Sequence, residues 1–374
     1  MYLCVPRTVA RVAVMLLAVG VSCPVFGQTT TVQTDPPGDL PPKLEVEGQP
    51  LAANVRRLLD ALSTLGTPWP DDLTRSLLAA ADARDSDQLQ SLLDPHVLLT
   101  VAINPETRVK VRRGPAVATL QQSGFTPVLV KVLNESTSTQ RIRMTSPQGG
   151  TVYAGTSRGS LERQQQTQLL DAGPSTPAGL RERFLSVEWF GQPPMTDRLS
   201  GLTVEYGVGL IYSADAGRRE ATIGFDLGQG TQDLGFRGEA PVLFDVHPAT
   251  PVRISVRDHD GQPTVARLEF RDRQGRVYPP QAKRVAPDFF FQPHVYRGDG
   301  QTVTLPPGEY SVTTGRGPEY LVERTPFVVP ASATANGTMP ELHVKLKRWI
   351  NPAAFGYYSG DHHIHGAGCA HYTS

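Results

Sequence analysis

The spacing of apolar residues divides this chain into a short helical part and a much longer β part. Between residues 51 and 94, apolar side chains recur at steps of three and four residues, which is the spacing of one buried helix face. The recurring positions are Leu51, Val55, Leu58, Leu59, Leu62, Leu65, Leu73, Leu77, Leu78, Leu89, Leu92 and Leu93. Gly66 and the Pro68-Trp69-Pro70 run separate the first two repeats. We therefore predict a helical segment over residues 51–96 whose leucine faces form a core.

From Val97 onward the apolar positions follow a period of two. The longest alternating run consists of Val204, Tyr206, Val208, Leu210 and Tyr212. Alternation of this kind places successive side chains on opposite faces of a β-strand. Several short alternating runs, separated by Gly- and Pro-rich turns, favour an antiparallel β-sandwich over residues 97–239.

A second β unit is predicted over residues 240–349. Residues 252–256 and 266–270 alternate between apolar and polar, and the turn sequence DHDGQP lies between them. The run VTLPPGEYSV follows at residues 303–312. This layout resembles the carboxypeptidase regulatory-like β-sandwich, and the resemblance implies an accessory module beside a catalytic domain.

The first 50 residues carry export and linker features rather than a packed core. Arg7 and Arg11 precede a ten-residue apolar run at 12–21, which is too short to span a bilayer, and small residues follow it. We predict a signal peptide over residues 1–27, a periplasmic or extracellular location, and no stable membrane insertion after cleavage. The proline-rich stretch at 28–50 is predicted to be a disordered linker.

Composition excludes some partners and leaves others open. Lys and Arg together number 36, as do Asp and Glu, so the formal net charge of zero gives no support for nucleic-acid binding. Of the three cysteines, Cys4 and Cys23 lie in the predicted leader. Cys369 would then be alone in the exported chain, which excludes an internal disulfide.

The candidate chemistry lies in the last stretch, YYSGDHHIHGAGCAHY at residues 357–372. Four of the nine histidines fall within ten residues here: His362, His363, His365 and His371. If residues 357–364 form a strand, Asp361, His363 and His365 share one face. Imidazole is the commonest metal ligand among side chains, so this pattern indicates a metal site.

The sequence GDHHIH at 360–365 resembles the first motif of the polymerase-and-histidinol-phosphatase (PHP) superfamily, in which Asp-Leu-His-x-His lies on the first strand of a distorted (β/α)7 barrel. Within that superfamily, the tail most resembles CehA/McbA-type metallohydrolases. The resemblance implies metal binding by His363 and His365 and a catalytic role for Asp361, with zinc, manganese or iron as the divalent metal. His371 is a further candidate ligand. His362 stands where leucine is usual.

These observations predict a multidomain, mainly β protein. Its parts are a signal peptide (1–27), a linker (28–50), a helical segment (51–96), two antiparallel β-sandwich units (97–239 and 240–349) and the first strand of a truncated PHP-type barrel (350–374). The expected function is the N-terminal part of an exported metal-dependent hydrolase acting on an ester, amide or phosphoester. We expect this portion to be inactive alone, because two histidines and an aspartate do not complete a catalytic zinc site. The substrate, small molecule or polymer, is not readable from the sequence.

Two alternatives stay open. In the first, the chain is a non-enzymatic β-sandwich envelope protein that binds a glycan, a peptide or a protein partner. In the second, His365, Cys369 and His371 form a structural zinc site.

Overall fold

The computed structural model confirms a mainly β protein with a small helical layer. The residues that the structure describes are 38–150, 184–228, 238–282, 284, 288–289, 291–330, 339–358 and 360. The predicted signal peptide and the histidine-rich tail both lie outside them. Among the described residues, no helix is long and apolar enough to cross a membrane.

The predicted helical segment is confirmed as three helices. They are α1 (Gly48–Thr64), α2 (Asp71–Ala83) and α3 (Ser86–Leu93), followed by a 3-10 turn at Asp94–His96. The side chain of Asp85 caps α3 by accepting a hydrogen bond from the backbone N–H of Gln88. Gly66, with a φ of 72°, follows α1 and reverses the chain.

The first sandwich contains two sheets. The larger sheet has the order β2-β1-β4-β7-β6, and the smaller sheet has the order β3-β9-β8-β5. The strands are β1 (Val97–Ile103), β2 (Val109–Arg113), β3 (Thr119–Gln121), β4 (Phe125–Asn134), β5 (Arg143–Thr145), β6 (Leu185–Trp189), β7 (Val204–Ser213), β8 (Gly217–Asp226) and β9 (Glu239–His247).

The larger sheet is buried on both faces. Leu129, Tyr206 and Val208 pack against the helices on one face, while Val130 and Ile211 pack against the smaller sheet on the other. Strands covered on both faces have near-continuous apolar sequences. This explains why β1 is apolar at every position except Thr100 rather than alternating.

The second sandwich also contains two sheets. One has the order β14-β10-β17; the other has the order β12-β11-β15-β16, with β13 also paired to β11. The strands are β10 (Thr250–Arg257), β11 (Val265–Arg271), β12 (Val277–Tyr278), β13 (Val295–Gly298), β14 (Thr302–Leu305), β15 (Gly308–Gly315), β16 (Glu323–Val329) and β17 (Glu341–Lys345).

Pairing in the four sheets is mostly antiparallel, as predicted, but three pairs are parallel: β1 with β4, β3 with β9, and β10 with β17. Strand β9 pairs with β8 and so belongs to the first sandwich. The boundary between the sandwiches therefore lies at residues 248–249 rather than at 239–240.

The chain after β17 departs from the predicted strand. Residues Pro352–Phe355 form a 3-10 helix, and Gly356 ends it with a φ of 77°. Tyr357 and Tyr358 are exposed and lie in no strand. The prediction that a barrel strand begins at Tyr357 is therefore wrong. Residues 361–364 lie outside the described residues.

Candidate functional site

The residues predicted from the histidine-rich tail are not positioned by the structure. Asp361, His363, His365 and His371 lie outside the described residues, as do His362 and Cys369. Their convergence on a metal ion stays a prediction.

One other group of potential metal ligands occurs among the described residues. Asp258, His259 and Asp260 bring ligand atoms within 4.8 Å of one another in the turn after β10. The Asp258 carboxylate is already occupied, since Oδ2 accepts hydrogen bonds from Arg316 Nη1 at 2.5 Å and from the Tyr320 hydroxyl at 3.0 Å. Oδ1 accepts the backbone N–H of His259 at 2.7 Å. This aspartate is a structural anchor for the turn.

A concave site lies where the two sandwiches meet. It is a cleft of about 570 Å³, which is within the usual size of small-ligand sites. One wall consists of β3, the start of β4, and His247 at the end of β9. The opposite wall consists of residues 272–280 and 306–310 of the second sandwich. We call this site the junction cleft.

Glycines set the separation of the two walls. A Cβ on Gly124 would lie 2.5 Å from Cγ of Pro280, so only glycine permits this approach. A Cβ on Gly66 would similarly lie 2.6 Å from Oε1 of Gln281, and the Gly66 carbonyl accepts a hydrogen bond from the N–H of Val277 at 2.9 Å. The floor of the cleft is therefore fixed by tight backbone packing.

The charged side chains of the junction cleft are paired with one another. Arg276 Nε donates to Asp272 Oδ2 at 2.7 Å, and Arg273 Nε donates to Glu309 Oε2 at 3.0 Å. Asp272 Oδ1 also accepts two backbone N–H groups of its own turn, from Gln274 and Arg276. These bonds hold the Asp272 carboxylate and the Arg276 guanidinium against each other at the cleft surface, whereas the Arg273–Glu309 pair is largely exposed.

Two tyrosine rings contribute to the apolar part of the cleft. Tyr278 and Tyr310 pack edge to face with centroids 5.5 Å apart, and the Tyr310 hydroxyl donates to the carbonyl of Pro306 at 2.7 Å. Burial is the main cause that raises the pKa of Tyr278 to about 12, and it also raises the pKa of Tyr310. Both phenols are therefore neutral at pH 7 and act as hydrogen-bonding and stacking groups.

The Arg276 guanidinium remains charged in this setting. Burial lowers its pKa, but the neighbouring Tyr278 and the carboxylate of Asp272 outweigh burial, and the net shift is upward. Its Nε is used by Asp272, and its two Nη atoms make no hydrogen bond with any described residue. They can donate to a ligand in the cleft.

The arrangement suits binding better than bond cleavage. Both carboxylates of the cleft are held in ion pairs with arginine. Fixed donors beside aromatic and proline surfaces are typical of recognition sites.

The sequence pattern did not indicate this site, because periodicity does not report which turns approach each other. The one available signal was the clustering of Arg, Tyr and Pro in residues 276–280.

Comparisons with known proteins give a distant likeness only. No family model matches the chain, and no curated protein matches it in sequence. Among solved structures, the pilus 2b backbone protein of group B streptococcus is 11% identical with a TM-score of 0.21, covering 62% of this chain and 95% of that one. BcpA, the major pilin subunit of Bacillus cereus, is 10% identical with a TM-score of 0.21, covering 67% and 70%. The Bacillus anthracis TIE protein is 9% identical with a TM-score of 0.18, covering 83% and 56%. Likenesses of this size carry no argument about function, and the mainly β architecture is established by the strand pairings themselves.

Proposed function

We propose that the described part of this chain is a non-catalytic β-sandwich portion of an exported protein, and that it binds a partner molecule in the junction cleft. The observation that carries this proposal is the cleft itself. Its fixed Arg276–Asp272 pair lies beside the Tyr278 ring, at the meeting of two rigid sandwiches. Ligand sites occur preferentially at such interfaces between folded units.

A binding screen with cleft variants tests the proposal. Ligand-observed NMR would be recorded with the full chain against three probe classes: neutral linear oligosaccharides, a pool of short peptides, and anionic oligosaccharides. We expect one class to bind, and Arg276→Ala to weaken that binding. Trp349→Ala is the matched control, because Trp349 is 61% exposed and lies outside the cleft. Absence of binding by all three classes, or equal binding by the Arg276 variant, would overturn the proposal.

A second candidate function is the metal-dependent hydrolase of the PHP superfamily. It is favoured by a single observation, the Asp-x-His-x-His pattern at residues 361–365. The imidazoles of His363 and His365, with His371 as a further donor, suit zinc, manganese or iron. Such an ion would lower the pKa of a bound water and supply a hydroxide nucleophile. In this case the β-sandwiches serve as accessory modules.

Metal content separates the second candidate from the first. Elemental analysis of the purified chain and of His363→Ala, His365→Ala and His362→Leu would be compared. The hydrolase hypothesis expects loss of metal in the two alanine variants and retention in His362→Leu, because His362 lies on the opposite face of the predicted strand. Metal loss in His362→Leu with retention in His363→Ala would show that the assigned face is wrong.

A further inference from the structure

A second cleft adjoins the junction cleft. It has a volume of about 390 Å³ and lies between the α1–α2 connection, the turn at Asp94–His96 and the larger sheet of the first sandwich. Thr119 and Pro127 line both clefts. The two clefts are therefore adjacent, and we call them together the groove.

The second cleft has an aromatic platform of its own. The rings of Trp69 and His96 lie 5.3 Å apart and are tilted by 36°. Leu62 and Leu129 line the cleft below them. Burial lowers the pKa of His96, so this ring is neutral at pH 7. The groove thus presents an aromatic ring in each of its two clefts: Tyr278 in the junction cleft and Trp69 in the second cleft.

The charge of the groove points to an uncharged ligand. In the junction cleft, Arg276 is paired with Asp272 and Arg273 with Glu309. In the second cleft, His96 is the only ionisable side chain among the lining residues, and it is neutral. His247, which also lines the junction cleft, lies beside Asp245, with Nε2 3.9 Å from Oδ2. The arginines and carboxylates of the lining are thus paired, and burying a charged ligand group without a partner is costly.

The groove is not suited to a peptide that adds a strand. Strand β3 forms its edge, but two backbone N–H groups there are already used. The N–H of Thr119 donates to the Val117 carbonyl at 3.0 Å, and the N–H of Gln121 donates to the Thr126 hydroxyl at 3.1 Å. Strand addition depends on main-chain hydrogen bonds, and these two donors do not contribute to them.

We propose that the joined clefts bind a neutral oligosaccharide chain, one end of which stacks on Tyr278 and the other on Trp69. This inference rests on the proposed binding function and names its ligand class. A pyranose has a flat apolar face of C–H groups and a rim of hydroxyls. The aromatic rings match the face, and the paired carboxylate and guanidinium of Asp272 and Arg276 match adjacent hydroxyls as acceptor and donor.

Chain length provides the test, because two subsites are filled only by a longer chain. Calorimetric titrations would use gluco-, xylo-, manno- and chito-oligosaccharides of two to six sugars. For the preferred series we expect affinity to rise with length. Tyr278→Ala should weaken the binding of oligosaccharides of every length by about tenfold or more, as loss of a central aromatic anchor does. Trp69→Ala should remove only the additional affinity of the longer oligosaccharides.

Matched variants keep the outcome interpretable. Tyr278→Phe retains the ring and should retain most of the binding, and the melting temperature of each variant reports folding. If Tyr278→Ala fails to fold, the length dependence in Trp69→Ala decides alone. If neutral oligosaccharides fail but peptides or anionic oligosaccharides bind and depend on Arg276, this inference falls and the proposed function stands. Length-independent binding, or equal binding by Trp69→Ala at all lengths, also overturns it. If no probe binds, both the neutral-oligosaccharide inference and the proposed binding function are wrong.

Discussion

Removal of the buried Lys131 cation is expected to cost more stability than any surface substitution in this chain. Lys131 lies on β4 with its side chain 0% exposed, and its Nζ is 2.9 Å from both carboxylate oxygens of Asp94. Nζ also donates to the Pro42 carbonyl at 3.0 Å and to Gln90 Oε1 at 3.1 Å. The network joins the helical layer to the larger sheet of the first sandwich.

The magnitude follows from what each substitution leaves behind. Lys131→Met leaves the Asp94 carboxylate buried, with the Tyr206 hydroxyl at 2.7 Å as its remaining donor. An uncompensated buried charge costs about 3–5 kcal/mol of the free energy of unfolding. Burial lowers the pKa of Lys131 even though Asp94 acts to raise it, which indicates that desolvation of this ammonium is incompletely offset. The double variant Lys131→Met/Asp94→Leu removes both charges and is expected to lose much less than the sum of the single variants.

Urea unfolding followed by tryptophan fluorescence measures these differences. Lys347→Met is the matched control, because Lys347 pairs with Glu323 at the surface, where its side chain is 60% exposed. That variant should change the free energy of unfolding by no more than about 1 kcal/mol. A loss in Lys131→Met no larger than in Lys347→Met would refute the reasoning. Additive losses in the double variant would refute it as well.

Two further predictions concern the groove. Gly124→Ala should lower the free energy of unfolding by about 1–3 kcal/mol, because the added Cβ clashes with Pro280. Gly315→Ala is the control and should lower it less, because a Cβ there would have its nearest neighbour at 3.7 Å. Thermal unfolding of the two variants compares these effects. The pKa of His96 is lowered below 6.5 in the fold, so the unfolded chain binds more protons in that window. Stability should therefore fall as pH drops below 6.5, and His96→Gln should reduce that slope in unfolding measured from pH 7.5 to 5; an unchanged slope would contradict the assignment.

The elements of the fold were largely predictable from sequence, because each depends on a local period. The spacing of leucines predicted the helices, and the alternation of apolar and polar residues predicted strands such as β7 and β10. Tyr320 lies before β16, which begins at Glu323. It makes an isolated bridge to Arg348 and donates its hydroxyl to Asp258.

Long-range pairings were not predictable in the same way. Lys131 interrupts an apolar strand, and only the tertiary fold supplies its partner, Asp94, from the helical segment. The guanidinium of Arg113 likewise donates to the carbonyls of Leu98, Gly114 and Ala116, and these bonds tether the turn after β2. Groups brought together by packing leave no periodic trace in the sequence.

The same limit explains why the groove was missed. Its walls come from segments that lie far apart in the chain, and their approach depends on the small size of Gly66 and Gly124. The histidine-rich tail was visible because its candidate ligands are close in sequence. Whether Asp361, His363 and His365 hold a metal is decided by the metal analysis proposed above.

Hydrogen–deuterium exchange with and without the tightest-binding probe tests the central claim most directly, because it locates the ligand on the chain. The account predicts increased protection at residues 119–127 and 272–280, the two walls of the junction cleft, with β16 unchanged. Protection confined to β16 or to residues 359–374, with both walls of the cleft unchanged, would contradict it.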